Sequence, residues 1–419
     1  MSEFPPAMDA LQGDISRRGL LRGVGLAAAG VAVGAVVTTN TTASPKGPDL
    51  HATVPFYGLH QAGVDTPPPD HFILAAFDAT TTSANELRHV LNEWTVAAEK
   101  LTRGESLGYT ENPYVPPVDS GEADGLSPAS LTITIGYGPS LFNHRFGLAS
   151  NKPAALKELP SFVGDNLNPL ESDGDIVIQI CSEDPQVNFH AAHSLARLGE
   201  GVVALRYMHI GFGRTSAVTS DQSTTRNLIG FKDGTNNLQV NREANFDRHI
   251  WVKSSDPAWM NEGTYLVSRK IRVRLEDWSS NSLDTQEATI GRFKDSGAPL
   301  TGSTEHDVPD LRALDSHRNY VIPTSAHIRV AAPSQNGGRV ILRRGFGFVD
   351  GLDQTTGQII CGLHFVCFQR DPYEQFVSIQ QNLATNDALA TYLSHEGSVV
   401  AACPGGLTPG QRWGDQLFA

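Results

Sequence analysis

Four side chains set the chemical question. Asp233 lies in "RNLIGFKDGTNNLQV" (residues 226–240), an acid placed between an apolar run and a glycine. Asp-Gly is a turn signature, because Asp bonds its own backbone and Gly takes positive φ without steric cost. The other reading of the same residue is a carboxylate held in an apolar pocket to move protons. His327 stands in the apolar "AHIRVAAP", with Arg329 two residues on. A histidine in that setting is either a satisfied core residue or a ligand. Sixteen residues after His327, an apolar run ends in Arg343 and Arg344, within "VILRRGFGF". Strand alternation lets only one of the pair face a given side, and an inward guanidinium needs a negative partner. Asp233 is the candidate for that partner.

Two other groupings weigh less. His190 and His193, in "NFHAAHS", stand three apart on an expected helix with no third ligand near them in sequence, so no metal site is expected there. Cys361 and His364 are three apart in an expected strand and therefore face opposite sides. The four cysteines, Cys181, Cys361, Cys367 and Cys403, allow one disulfide in an oxidising compartment, which a core of this size hardly needs.

The elements that must position these residues follow from periodicity. "HFILAAFD", "LTITIGY", "DIVIQICS" and "VVALRYMHI" read as strands. Between the first two, Leu87, Leu91, Trp94 and Ala98 recur at helical spacing behind a Ser83/Glu86 capping box. "PQVNFHAAHSLARLG" reads as a helix closed by Gly199. The second half repeats the theme: strands in "GTYLVSRKIRVRL" and "GLHFVCFQ", a strand pair in "RVILRRGFGFV", and helices in "LDTQEATIGRF" and "PYEQFVSIQQNLA". Each half is strand–helix–strand twice over, which predicts an α+β chain of two ferredoxin-like domains, a duplicated split βαβ with antiparallel sheets and helices on one face. The boundary is placed near 222, giving domains 71–222 and 223–419 behind an extended lead-in, 44–70. Segments 112–128, 161–174 and 294–325 read as irregular, and the last is long enough to be a cover over a ligand.

The chain has 419 residues and a net charge of −13, which gives little support to a nucleic-acid or anionic-membrane partner. Residues 1–43 balance Glu3, Asp9 and Asp14 against Arg17, Arg18 and Arg22, so the acidity belongs to the remainder. Paired Arg17 and Arg18 precede an Ala/Gly/Val run, the pattern of a twin-arginine export signal cleaved after Ala43. The run from Gly23 to Val37 is 15 residues, short of the ~20 that span a bilayer, so no stable membrane span is expected after processing. That route carries folded proteins, often with a cofactor in place, to a periplasm, a cell wall or the medium.

"GFKDGTNN", "AHIRVAAP", "LRRGFGF" and "FQRDPYEQFVSIQQ", with "FYGLHQAGVDTPPPDHFILAAFD" and "HIWVKSSDPAWMNEGTYLVSRKIRV", resemble the dye-decolourising haem peroxidases. The likeness is to the group that includes exported iron-uptake peroxidases, the deferrochelatases, and it runs from about residue 52 to the C-terminus. It implies two ferredoxin-like domains enclosing one non-covalent haem b. The absence of Cys-x-x-Cys-His agrees with non-covalent attachment. By resemblance, Asp233 is the distal acid, His327 the axial ligand to haem iron, and Arg343 the distal arginine with Arg344 as the alternative register. Asp387 is the implied partner of His327, with Asp371 competing, and Arg329 pairs with a haem propionate. Gly234 would let the backbone turn close against haem.

On this reading hydrogen peroxide is the oxidant and a dye, phenol or other one-electron donor the reductant. A carboxylate base works at lower pH than a histidine, so an acidic optimum is expected. Trp251, Trp259, Trp278 and Tyr320 are candidate electron relays. The alternative function is a haem-handling deferrochelatase with little peroxide turnover and iron-uptake partners. A ferredoxin-like binding module without haem is a third, disfavoured because Asp233, His327 and Arg343 are all present.

Overall fold

The computed structural model describes residues 49–419 apart from 217, 219–222, 241–242 and 254–256. The expected export signal at 1–43, the first residues of the lead-in and the expected boundary near 222 lie outside the described residues. In chain order the elements are β1 (His71–Ala79), α1 (Ala84–Thr102), β2 (Thr132–Tyr137), β3 (Ile176–Ser182), α2 (Pro185–Leu198) and β4 (Val203–Arg214). There follow α3 (Glu243–His249), β5 (Thr264–Val273), α4 (Leu275–Ser279), α5 (Leu283–Ile290) and α6 (His327–Val330). The chain ends with β6 (Leu342–Arg343), β7 (Phe346–Leu352), β8 (Ile359–Gln369), α7 (Ser378–Asn386), β9 (Leu393–Cys403) and α8 (Trp413–Leu417).

The fold is α+β with an antiparallel sheet, but the strands form one sheet rather than two. Its order is β5-β9-β2-β3-β1-β4-β7-β8-β6, and β5 also pairs β8, so the sheet closes on itself. The first half contributes β2-β3-β1-β4 and the second β9-β5-β8-β7, and they meet at two short seams. Tyr137 lies opposite Ala402 at one seam; Phe212 and Arg214 lie opposite Gly347 and Phe346 at the other. Strand β9, "LSHEGSVVAAC", is central to closure and was not expected from the sequence.

Alternation explains the two cores. Ile73, Ala75 and Phe77 of β1 face outward onto Leu87, Leu91 and Trp94 of α1 and Val187 and Leu195 of α2. Phe72 and Leu74 point the other way, into an interior shared with Leu266, Phe346, Phe368 and Val399. Helix α1 begins as expected, with Ser83 Oγ accepting from the Glu86 N–H, although the Glu86 carboxylate is taken by Thr81 instead of closing the box. The lead-in is more than an arm. Gln61 bonds the Ile135 peptide on both sides and the Pro404 carbonyl, and Val64 is buried in the interior.

Trp94 is fully buried, packs on Phe77 at 5.0 Å between ring centres and donates Nε1–H to the Leu195 carbonyl at 2.7 Å. Trp94→Ala is expected to cost roughly 3–5 kcal/mol. Urea denaturation checks this, and a loss below ~1 kcal/mol would mean the α1–α2 layer adds little to the core.

Candidate active site

The Asp233 turn is built by short-range bonds. Asn227 N–H donates to the Phe231 carbonyl (3.0 Å) and Gly230 N–H to the Asn227 carbonyl (2.9 Å), with Gly230 at φ +86°. Asp233 N–H then donates to the Thr225 carbonyl at 3.0 Å. Gly234, at φ +85°, is required for a different reason from the one expected. A Cβ there would sit 2.6 Å from Ser216 Cα and 2.9 Å from the Thr215 carbonyl oxygen, so the close approach is to protein backbone.

The Asp233 carboxylate accepts from Arg343 Nη1 (2.9 Å) at one oxygen and from Asn227 Nδ2 (3.2 Å) at the other. Both side chains are partly exposed, 20 % and 26 %, onto a cavity of about 980 Å³ that they line with His327, Asp387 and many apolar side chains. Alternation in β6 settles the register. Leu342 faces the interior, Arg343 faces the cavity, and Arg344 leaves the strand to lie fully buried against the carbonyls of Val64 and Thr66. Asn237 fixes the Arg343 peptide from the side opposite β8. Its Oδ1 accepts the Arg343 N–H and its Nδ2 donates to the Arg343 carbonyl, both at 2.9 Å, while Ser216 Oγ donates to the same carbonyl at 2.8 Å. Sequence reading missed Asn237; its place four residues after Asp233, in a turn that needs backbone partners, was the available signal.

His327 opens the one-turn helix α6, and its Nδ1 lies 2.6 Å from Asp387 Oδ2. The carboxylate is placed by the end of α7: Asp387 N–H bonds the Leu383 carbonyl, and Oδ1 accepts the Leu389 N–H at 2.9 Å. Asp371 is elsewhere, capping the turn at Tyr373 and Glu374. Burial opposes charge on His327, but the Asp387 carboxylate overrides it, and Asp233 adds to the same direction, so the imidazole is more basic than usual. Its one-third exposure is to the cavity. With Nδ1 engaged, Nε2 is the ring nitrogen available to a ligand, and it has no partner among the described residues.

Arg329 does not fulfil its expected role. It is buried, donates to the carbonyls of Ile322 and Pro323, covers the Tyr320 ring at 4.6 Å, and is absent from the cavity wall. Two residues of helix, a rotation of about 200°, carry its side chain away from that of His327. Arg339, Arg292 and Lys232 are cationic wall residues beside Arg343. The long segment 294–325 supplies Glu305, His306 and Val308 to the wall, and the Glu305 carboxylate takes Lys232 and Thr235, either side of Asp233 and Gly234. Trp251, Trp259 and Trp278 are buried outside the wall; Trp278 packs on Phe231, which lines it. His190 and His193 both bond Glu122, at 2.8 and 2.6 Å, anchoring segment 112–128 to α2; no metal-holding cluster occurs among the described residues. All four cysteines are free and buried.

His395, on β9, also lines the cavity, and it too was missed. Burial, reinforced by the adjacent Arg269, pushes its pKa down to about 3. Burial likewise holds His364, stacked on His209 inside the sheet, well below the ordinary range. Below pH ~6.5 the unfolded chain protonates both residues while the folded chain does not, so stability falls with pH by about 1.4 kcal/mol per unit for each histidine. Glu122 and Glu171, held near 2, act in the same direction below ~4.5. Urea midpoints should therefore drop from pH 7 to pH 5, and the drop should shrink in His364→Phe; equal midpoints would refute the buried-neutral assignment.

The geometry can be set beside known proteins. The family models described as Dyp-type peroxidase, N-terminal and C-terminal, match residues 61–213 and 224–408. Deferrochelatase of Escherichia coli (strain K12) is 35% identical over 413 residues, 96% of this chain and 97% of that one. Ferric DtpA from Streptomyces lividans is 39% identical with a TM-score of 0.82, over 88% of this chain and 98% of that one. A DyP-type peroxidase from Cellulomonas bogoriensis is 37% identical with a TM-score of 0.79, over 89% and 99%. Matched along both halves in sequence and in fold, the chain belongs to the Dyp-type peroxidase family.

Proposed function

We propose that the chain is a haem peroxidase that binds one haem b non-covalently through His327 Nε2 and uses Asp233 and Arg343 on peroxide. The observation that carries this is one cavity holding both an Asp–Arg pair and a carboxylate-bonded histidine. The donor set fits the cofactor. A neutral imidazole with its far nitrogen fixed by a carboxylate is a good iron ligand. The cavity's ~980 Å³ is at the top of the range for cofactor sites.

Haem iron, when bound, supplies the oxidising equivalents drawn from peroxide and returned to one-electron donors. Asp233 is placed to take a proton from one peroxide oxygen and return it to the other, which departs as water. Arg343 supplies a fixed positive charge for the negative charge that develops as the O–O bond breaks. Asn227 and Arg343 hold the carboxylate in one orientation, so the transfer needs no side-chain search. Asp387 fixes the His327 tautomer and strengthens it as a donor.

Absorption spectra of haem-reconstituted protein, before and after one equivalent of hydrogen peroxide, test the reading. A ferric Soret band that converts within a second, and is absent in His327→Ala, supports it; a band indifferent to peroxide moves the assignment to the second reading. That reading, haem handling in iron uptake with iron-uptake components as partners, is favoured by the name of the 35%-identical relatives, deferrochelatase. The strand order of each half supports reading the fold as a duplicated ferredoxin-like unit, and the family matches either side of 222 support the proposed boundary. Among the described residues no helix is long and apolar enough to cross a membrane, which fits export by the twin-arginine signal at 1–43.

A further inference from the structure

Two of the cavity-wall histidines have opposite partners. His327 Nδ1 faces a carboxylate, which leaves a lone pair on Nε2. His395 Nδ1 faces Arg269 Nε at 3.4 Å. A guanidinium has only protons to offer, so Nδ1 must accept and the His395 proton must sit on Nε2. Arg269 cannot swing aside to relax this. It is 1% exposed, bonded to Asp165 by one terminal nitrogen and to Ser398 Oγ at 3.1 Å by the other. The backbone is fixed as well, since Asp165 and His395 form a bridge and Asn166 N–H bonds the His395 carbonyl at 2.9 Å.

His395 pairs with Ile271 across the β5–β9 ladder, and Ile271, Val273 and Leu393 form the apolar wall around it. Its Nε2–H has no acceptor among the described residues. Because His395 lines the cavity, an occupant that brings an acceptor to this point completes the donor. With Nδ1 taken by Arg269 and the proton on Nε2, neither ring nitrogen offers a lone pair to the cavity, so the residue is placed to donate rather than to act as a base or ligate a metal.

We propose that His395 is a dedicated hydrogen-bond donor to a carboxylate of the cavity's occupant. The charge behind it suits a carboxylate, because Arg269 polarises the imidazole toward the occupant while Asp165 offsets its charge. The carboxylate belongs either to a side arm of haem or to an acidic organic reductant. This rests on the haem reading above.

The test compares His395→Phe, which keeps a ring and loses the donor, with His395→Gln, which keeps an N–H. Cofactor-free protein is titrated with haem b and with haem dimethyl ester, whose carboxylates are blocked, following the Soret band. His395→Phe should weaken haem b binding about tenfold, leave ester binding unchanged, and be largely rescued by glutamine. Unchanged haem b binding, with KM for a carboxylate-bearing dye raised about tenfold over that for a neutral phenol at constant kcat, places the carboxylate on the reductant. No change in either arm overturns the proposal. If the wild-type chain takes up no haem, the reading of the site fails separately. The imidazole ¹⁵N shifts of His395 must then still report the proton on Nε2 and move on adding benzoate; a proton on Nδ1, or no movement, overturns the donor.

Discussion

His327→Ala is expected to abolish the Soret band of haem-reconstituted protein at cofactor concentrations that saturate the wild type. The substitution removes the nitrogen proposed to hold the iron and also strands Asp387. That carboxylate is 4% exposed and bonded to His327 at 2.6 Å, and removing one member of a buried pair costs about 3–5 kcal/mol. A chain that loses haem because it unfolds must be told apart from one that loses only its ligand. His327→Ala combined with Asp387→Ala removes the stranded charge, so the double variant should regain stability and still lack the Soret band. Asp387→Asn, by contrast, should keep haem, with a ligand of weaker donation and a peroxide reaction slowed by about 10–100-fold. A Soret band of normal intensity and position in His327→Ala would remove this residue from the iron.

Asp233→Asn should bind haem as tightly as the wild type and react with peroxide roughly 10²–10⁴ times more slowly. Asparagine fills the same volume and can still accept from Arg343, but it cannot take the proton. Arg343→Leu should slow the same step by about 10²–10³ while leaving the base present. The two residues are bonded at 2.9 Å and act on one event, so the double variant should be little slower than the worse single one. Stopped-flow absorbance with excess peroxide reads all three. Additive losses would mean that the pair works as two independent groups; a fast Asp233→Asn would transfer the base role elsewhere.

What the sequence could and could not disclose has physical reasons. Asp233 and the Arg343–Arg344 pair were legible as local patterns, a turn acid after an apolar run and two arginines on a strand, but the choice of Arg343 rested on resemblance until β6 placed Arg343 at the cavity and Arg344 in the interior. His327 with Asp387 rested on resemblance, since sixty residues separate them and only the contact between α6 and the end of α7 joins them. Arg329 went wrong because two residues along a one-turn helix turn a side chain away, whereas an extended reading would keep it on the same face. Strand β9 was missed because His395, Glu396 and Gly397 interrupt its alternation where the ladder carries a register shift, between Lys270 and Ile271. Closure into one sheet depends on single pairings such as Tyr137 with Ala402, which no local pattern announces. His395 was invisible for the same reason, as its meaning comes from Arg269 on another strand and Asp165 in the other half.

The strand order has one terminus at β6, two residues long, where an incoming chain could add itself by main-chain pairing. Asn237 already occupies that place, its amide matching the N–H and C=O of Arg343 as a neighbouring peptide would. The side chain that steadies Arg343 therefore also blunts an edge on which another chain could pair.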